Sequence, residues 1–256
     1  MTVRLDISGG IARIVLARPE RLNAFSDAMK DGLIEITRQV QLDDRVRAVL
    51  LCAEGRAFCA GGDIDTMGAS DVLSSRARIQ HAHRTILGLA NLDKPVVAAV
   101  RGPALGVGFS LALCSDLLIA STTARFGVVF KKVGLAPDGG LAYFLSQSIG
   151  ARRAKELMLS ARMFGAEAAR DLGLVAEVVD DDALDARAMA VTEELASSAT
   201  FALAMGKRMF HAAAKPSLEE FLELESHIQT EVLQTQDHRE GVAAYREKRK
   251  PLFHGR

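Results

Sequence analysis

Apolar and polar residues alternate over 3–7 and again over 11–17, on either side of Ser8-Gly9-Gly10. That pattern predicts a β-hairpin halted at Arg18-Pro19. Ser26 stands as an N-cap ahead of Met29, Leu33, Ile36 and Val40, whose spacing predicts an amphipathic helix to about Gln41. Apolar, β-branched runs predict strands at 46–52, 96–101 and 117–120, a short extended segment near 125–129 and a short strand at 174–179. Helices are predicted over about 79–91, 106–113, 140–148, 151–160 and 166–171. Beyond those the chain reads as helical, with Pro216 near one helix start and Pro251 after another. The stretch 66–78 is polar and without a defined pattern. Strands alternating with helices imply an α/β protein with a largely parallel sheet and crossover helices.

Two of the strands run into glycine-rich turns. Ala48-Val49-Leu50-Leu51-Cys52 precedes Ala57-Phe58-Cys59-Ala60-Gly61-Gly62-Asp63, and Pro95-Val96-Val97-Ala98-Ala99-Val100 precedes Gly102-Pro103-Ala104-Leu105-Gly106-Val107-Gly108. Glycine opens backbone conformations closed to other residues and lets a ligand approach the main chain. Each turn alone reads as a tight strand-to-helix connection. Together they could aim two backbone N–H groups at one oxygen atom, the geometry of an oxyanion hole.

Composition narrows the picture. The 256 residues carry 32 Lys+Arg against 32 Asp+Glu, so no global field draws nucleic acid or an anionic membrane. An anionic ligand would need a local cluster. Cys52, Cys59 and Cys114 lie in apolar or turn contexts without metal-ligand spacing, and read as small core residues of a reduced compartment. No apolar run has the length and freedom from charge of a bilayer span, and the first residues do not resemble an export signal. A cytoplasmic protein is expected, with no metal.

Several motifs, in order, resemble the crotonase (enoyl-CoA hydratase/isomerase) superfamily. They are Arg18-Pro19-Glu20-Arg21-Leu22-Asn23-Ala24, the first glycine turn through Ile64, Lys94 to Gly102, Ser115-Asp116-Leu117, Gly134-Leu135-Ala136-Pro137-Asp138-Gly139-Gly140 and Tyr245 to Pro251. The resemblance spans almost the whole chain. It implies a spiral of ββα units over 1–195, holding an acyl-CoA site, and a C-terminal helical region over 196–256 that assembles a homotrimer or a dimer of trimers. It also implies a coenzyme A thioester as substrate and no separate cofactor. The oxyanion amides fall on Gly62 and Val107, with Gly106 heading the helix. Val107 stands where glycine is usual, and its β-branched side chain argues against a positive φ there. Arg21, the main chain at Ala60, Asp63, Ile64, Phe130 and Lys248 match substrate-binding positions. Lys248 matches a lysine that reaches a phosphate, commonly from a neighbouring subunit.

The carboxylates separate the possible reactions. Hydration in this family uses two glutamates, and the matching positions here are Ser110 and Phe130. Between Ala104 and Ser148 the carboxylates are Asp116 and Asp138. Asp116 matches a structural aspartate and reads as a turn residue. Asp138 lies in the loop that resembles the single-base loop of enoyl-CoA and ring-opened epoxide isomerases. There it would move a proton from C2 to C4 while the amides hold the enolate. Phe109, Phe126, Phe130, Leu135 and Phe144 would supply an apolar surround that raises its pKa. The alternative is that Asp138 caps the helix after it. Other readings stay open: a hydratase by lineage, an aryl-CoA dehalogenase-like enzyme with Asp138 as nucleophile and His83 nearby, or a CoA-binding protein without turnover. The dehalogenase pattern's tryptophan is absent, with Phe130 in its place.

Overall fold

A computed structural model describes residues 2–66, 71–213 and 216–256. The hairpin forms as read, from β1 (Val3–Ser8) and β2 (Ile11–Leu16). The sheet continues with β3 (Ala48–Ala53), β4 (Val96–Val100), β6 (Leu117–Ser121) and β9 (Glu177–Val179). Its order is β1-β2-β3-β4-β6-β9, antiparallel only in the first pair. A second sheet joins three short strands: β5 (Pro103–Leu105), β7 (Arg125–Gly127) and β8 (Met163–Gly165).

The two-residue period of a strand divides the core into two layers. Ala12, Ile14 and Leu16, Val49 and Leu51, Val96, Ala98 and Val100 face the larger layer. It is covered by α1 (Asp27–Leu42) and α2 (Val72–Ala90), whose Met29, Leu33, Ile86 and Leu89 are buried. The intervening residues Val15, Leu50, Val97 and Ile119 face the other layer, closed by Leu184 and Ala188 of α6 (Leu184–Ala196). Strands buried on both faces explain why β3 and β4 read as unbroken apolar runs rather than alternating ones.

Helix α3 (Val107–Leu113) packs on β5 and on α4 (Leu141–Ser160), while α5 (Ala166–Asp171) touches β8 of the small sheet and β9 of the large one. Gly150, at φ 78° and ψ 148°, breaks α4 into the two helices that the sequence suggests. The chain ends in α7 (Thr200–Ala212), α8 (Leu218–Leu233) and α9 (Gln236–Glu247). The last residues are strapped down: buried Asp237 accepts from the His254 and Gly255 amides at 2.7 Å each. Arg47 donates to Phe253 O at 2.8 Å and Ser198 O at 2.7 Å, tying the tail to the start of β3.

Three expectations need correction. Helix α2 starts at Val72, not 79, with the Asp71 carboxylate accepting from the Leu73 and Ser74 amides. The patternless stretch is therefore partly helical; residues 67–70 lie outside the described residues. Strands β5 and β8 are additional, and the strand placed at 174–179 is only Glu177–Val179. Among the described residues no helix is long and apolar enough to cross a membrane.

Candidate active site

The two glycine turns are stitched together by backbone hydrogen bonds. Phe58 N donates to Arg101 O (2.9 Å), Cys59 N to Pro103 O (3.0 Å) and Leu105 N to Cys59 O (3.0 Å). Helix α3 then starts hard against the first turn, because a Cβ on Gly108 would lie 2.2 Å from Cys59 O. Gly106, at φ 55° and ψ −124°, makes the bend that brings Val107 into the helix; Val107 itself has no positive φ, as its β-branch requires. Gly61, at φ 112°, bends the first turn, and its carbonyl accepts from Phe25 N at 2.8 Å. Among the described residues, neither the Gly62 nor the Val107 amide has a protein acceptor. Both remain available to a ligand oxygen.

A buried scaffold holds the first turn. Asn23 is inaccessible to solvent, sits at φ 54°, and donates to Glu54 O (2.9 Å) and Ala57 O (2.8 Å), while its Oδ1 accepts from Arg18 N (2.8 Å). Asn23→Ala would strip partners from three backbone groups and put alanine in a left-handed conformation. The expected loss is about 3 kcal/mol of unfolding free energy, read from urea denaturation. Arg18 also pairs with buried Asp63 at 2.5 Å, and this guanidinium holds the Asp63 carboxyl below the usual range. Asp65 takes Arg21. Asp63 and Asp65 thus brace the turn and its approach.

Of the remaining expected binding residues, Ala60, Ile64 and Phe130 lie at the two turns and Lys248 at the end of α9. Ala60 donates its amide to Leu22 O at 3.0 Å, and Ile64 is 69% exposed beside the turn. Phe130 is buried with its ring 3.5 Å from the position a Cβ on Gly106 would take, so it backs the bend before Val107. Lys248 is exposed, in the left-handed conformation at φ 56° that ends α9.

Asp138 stands beside the second turn. A Cβ on its neighbour Gly139 would lie 2.9 Å from Val107 Cγ2 and 3.1 Å from Ser110 Oγ, and Ser110 Oγ donates to Asp138 O at 3.4 Å. The position where a hydratase glutamate would stand therefore holds a buried serine that fixes the acid's backbone. The capping alternative is not what the chain adopts: Gly140 is the N-cap of α4, and no side chain caps it. Asp138 Oδ1 is buried and has no hydrogen-bond partner among the described residues. Burial pushes the Asp138 carboxyl above the ordinary value, opposed by the charges of His83, Lys30 and Arg78. Protonation would remove a base, so kcat/KM should fall as pH drops through this pKa. The acid limb of the pH profile is expected above the 3.8 of a solvated aspartate.

The apolar surround differs from the expected set. Phe109 and Phe126 belong to a core stack with Phe164, at centroid distances of 5.1, 6.0 and 5.9 Å, and Leu135 is 46% exposed. Lys30 and Arg78, whose charges oppose the rise in the Asp138 pKa, are additions. Lys30 had a legible signal, being a lysine on the buried stripe of α1 next to Met29 and Leu33. Arg78 had none. Asp116 is structural: its Oδ2 accepts from Val96 N at 2.8 Å and from Lys207 Nζ at 2.9 Å. Among the described residues no group of His, Cys, Asp and Glu is arranged to hold a metal.

A largely parallel sheet, paired glycine turns whose two amides have no protein acceptor among the described residues, and Asp138 beside the second turn define an α/β protein with a candidate site for a ligand oxygen. The profile of the enoyl-CoA hydratase/isomerase family matches residues 6–256. The chain belongs to that family, and its fold is the crotonase fold. It is 38% identical over 256 residues to the 1,2-epoxyphenylacetyl-CoA isomerase of Escherichia coli K12, covering 98% of this chain and 97% of that one. It is 31% identical to the trans-2-decenoyl-acyl-carrier-protein isomerase of Streptococcus mutans, covering 98% and 97%. The crystal structure of an enoyl-CoA hydratase from Bacillus anthracis superposes with a TM-score of 0.95 at 30% identity, covering all of both chains.

Proposed function

We propose that this enzyme shifts a double bond in an acyl-CoA thioester, converting a 3-enoyl to a 2-enoyl group. The Gly62 and Val107 amides bind the thioester oxygen. Asp138 takes the C2 proton, the amides carry the enolate's charge, and the same acid returns a proton at C4. The thioester is the substrate and no separate cofactor is needed. The observation that carries this reading is Asp138 itself: a partly buried carboxylate with an oxygen unpartnered among the described residues, next in sequence to Gly139, whose Cβ position lies 2.9 Å from Val107 Cγ2. Ser110 and Phe130 in place of two glutamates leave hydration without its pair of acids. Two relatives bear isomerase names, while others are named as hydratases.

The test is a panel of 3-enoyl-CoA thioesters, followed by formation of the conjugated product, beside a 2-enoyl-CoA hydration assay. Isomerisation with weak or absent hydration is expected. Vigorous water addition would defeat the reading. We propose further that the enzyme works in the cytoplasm as a homotrimer or dimer of trimers. Helix α8 has no buried residue, and Leu218, Leu222, Leu233 and the nearby Phe210 and Tyr245 are at least half exposed. Lys248, beside that surface, would reach a neighbour's coenzyme A phosphate. Sedimentation should give three or six times the chain mass; a monomer would contradict the assembly.

A further inference from the structure

We propose that the side chain of Val107, and not its amide alone, is a positioning element: it seats the turn that carries Asp138 and so fixes the acid relative to the amide donor. The inference rests on the isomerase reading, and deepens it by adding a group that keeps proton carrier and oxyanion donor in register. Lys131 to Ala136, the residues that lead into the acid, are all exposed. Leu135 N turns this run back on itself by donating to Phe130 O at 3.1 Å, and Lys131 Nζ reaches Leu159 O. Neither contact reaches α3. An exposed run of this kind does not by itself hold a carboxylate to the tolerance that proton transfer requires.

The attachment comes just after the acid. Asp138 O accepts from Leu141 N at 3.1 Å, closing a turn whose central residues, Gly139 at φ 60° and Gly140 at φ 76°, are both left-handed. Leu141 is inaccessible to solvent and anchors the far side of that turn. Gly139 is buried, and a Cβ on it would lie 2.9 Å from Val107 Cγ2, 3.1 Å from Ser110 Oγ and 3.3 Å from Ser110 Cβ. Val107 and Ser110 stand three residues apart on α3, and so share the face on which the turn sits. Their contacts differ in kind. Ser110 Oγ donates to Asp138 O at 3.4 Å, a long bond to an oxygen that already has Leu141 N. Val107 is buried and presents a branched apolar group that is stiff at χ1. A stiff, buried group sets a distance, whereas a long hydrogen bond sets mainly an orientation. One residue thus carries both the amide that would bind the thioester oxygen and the surface against which the acid's turn stops.

The experiment runs variants of the full chain on the 3-enoyl-CoA panel. Val107→Ala keeps a good helix former and the amide but removes both γ-carbons. It should lower kcat by about ten- to a hundredfold while KM scarcely moves, since a misplacement on the order of 1 Å can cost 10²-fold. The acid limb of the pH profile should move to lower pH, because a loosened turn lets water reach a carboxyl whose pKa burial has raised. Val107→Thr, which keeps the branched shape, should restore most of kcat and the original limb. Ser110→Ala should cost less than Val107→Ala; the reverse order would make the hydroxyl the holding group and overturn the assignment. An alanine variant at position 107 with unchanged kcat and an unmoved acid limb, whatever its melting temperature, also overturns it, as does a threonine variant no better than the alanine one. Asp138→Asn separates the two ideas. Full activity there defeats the isomerase reading, whereas its loss beside an unaffected Val107→Ala defeats the Val107 assignment alone. Should no thioester turn over, NMR titration of the Asp138 carboxyl in the unaltered and Val107→Ala proteins must show the same downward shift, or the proposal falls.

Discussion

Replacing Asp138 by asparagine should lower isomerisation about a thousandfold or more while acyl-CoA binding persists, because the single proton carrier is gone and the shape is kept. The amides of Gly62 and Val107 are untouched by the change. Its stability effect has a definite sign. Burial raises the Asp138 pKa, so the folded chain disfavours the ionised form, and at neutral pH a neutral asparagine removes that penalty. The variant should therefore melt at or above the parent temperature. A thousandfold loss in a protein at least as stable cannot be ascribed to unfolding. Full activity would remove Asp138 from the mechanism, and binding lost together with activity would make it a docking residue instead.

The second large effect is expected at Gly108. Its helical conformation needs no glycine, and alanine is intrinsically a better helix former. The side chain has nowhere to go: a Cβ would lie 2.2 Å from Cys59 O and 2.7 Å from Cys59 Cβ. Gly108→Ala must push α3 away from the first turn, at a cost of about 1–3 kcal/mol or more for overpacking. That displacement carries the adjacent Val107 amide with it, and losing one oxyanion donor typically costs about 10²–10³ in kcat. Gly206→Ala is the matched control. Nothing lies within 4 Å of its Cβ position on α7, so a neutral or slightly stabilising result is expected there. Equal behaviour of the two variants in thermal melts and turnover would show that the turns are not rigidly coupled.

The large strands were legible because strong local signals coincide there. β3 and β4 are apolar on both faces, Ser26 does cap α1 through its hydroxyl, and Gly106 and Gly150 break the backbone where their sequence context suggests. The start of α2 was hidden for a physical reason. Val72 and Leu73 are about four-fifths exposed, so the first turns of that helix have no buried stripe to create a period. β5 and β8 are three-residue strands whose partner is β7, and a pairing of that kind leaves no periodic trace. Around the site, the residue types needed for proton transfer could be read, but their surroundings could not. The charges of Arg78 and His83 act on Asp138 although α2 and the loop before α4 are distant in sequence. The core stack of Phe109, Phe126 and Phe164 likewise depends on the pairing of β7 with β8.

The hydrogen bonds joining Cys59 to Pro103 and Leu105 involve main-chain atoms only, whereas Asp138 projects from a separate loop tethered near α3 by Ser110. The two turns are thus joined through the main chain itself, and a side chain can part them only by crowding, as at Gly108, or by the loss of a brace such as Asn23. The proposed proton transfer, by contrast, hangs on one replaceable residue. Exchange of that loop residue would leave the main-chain link between the turns as it stands.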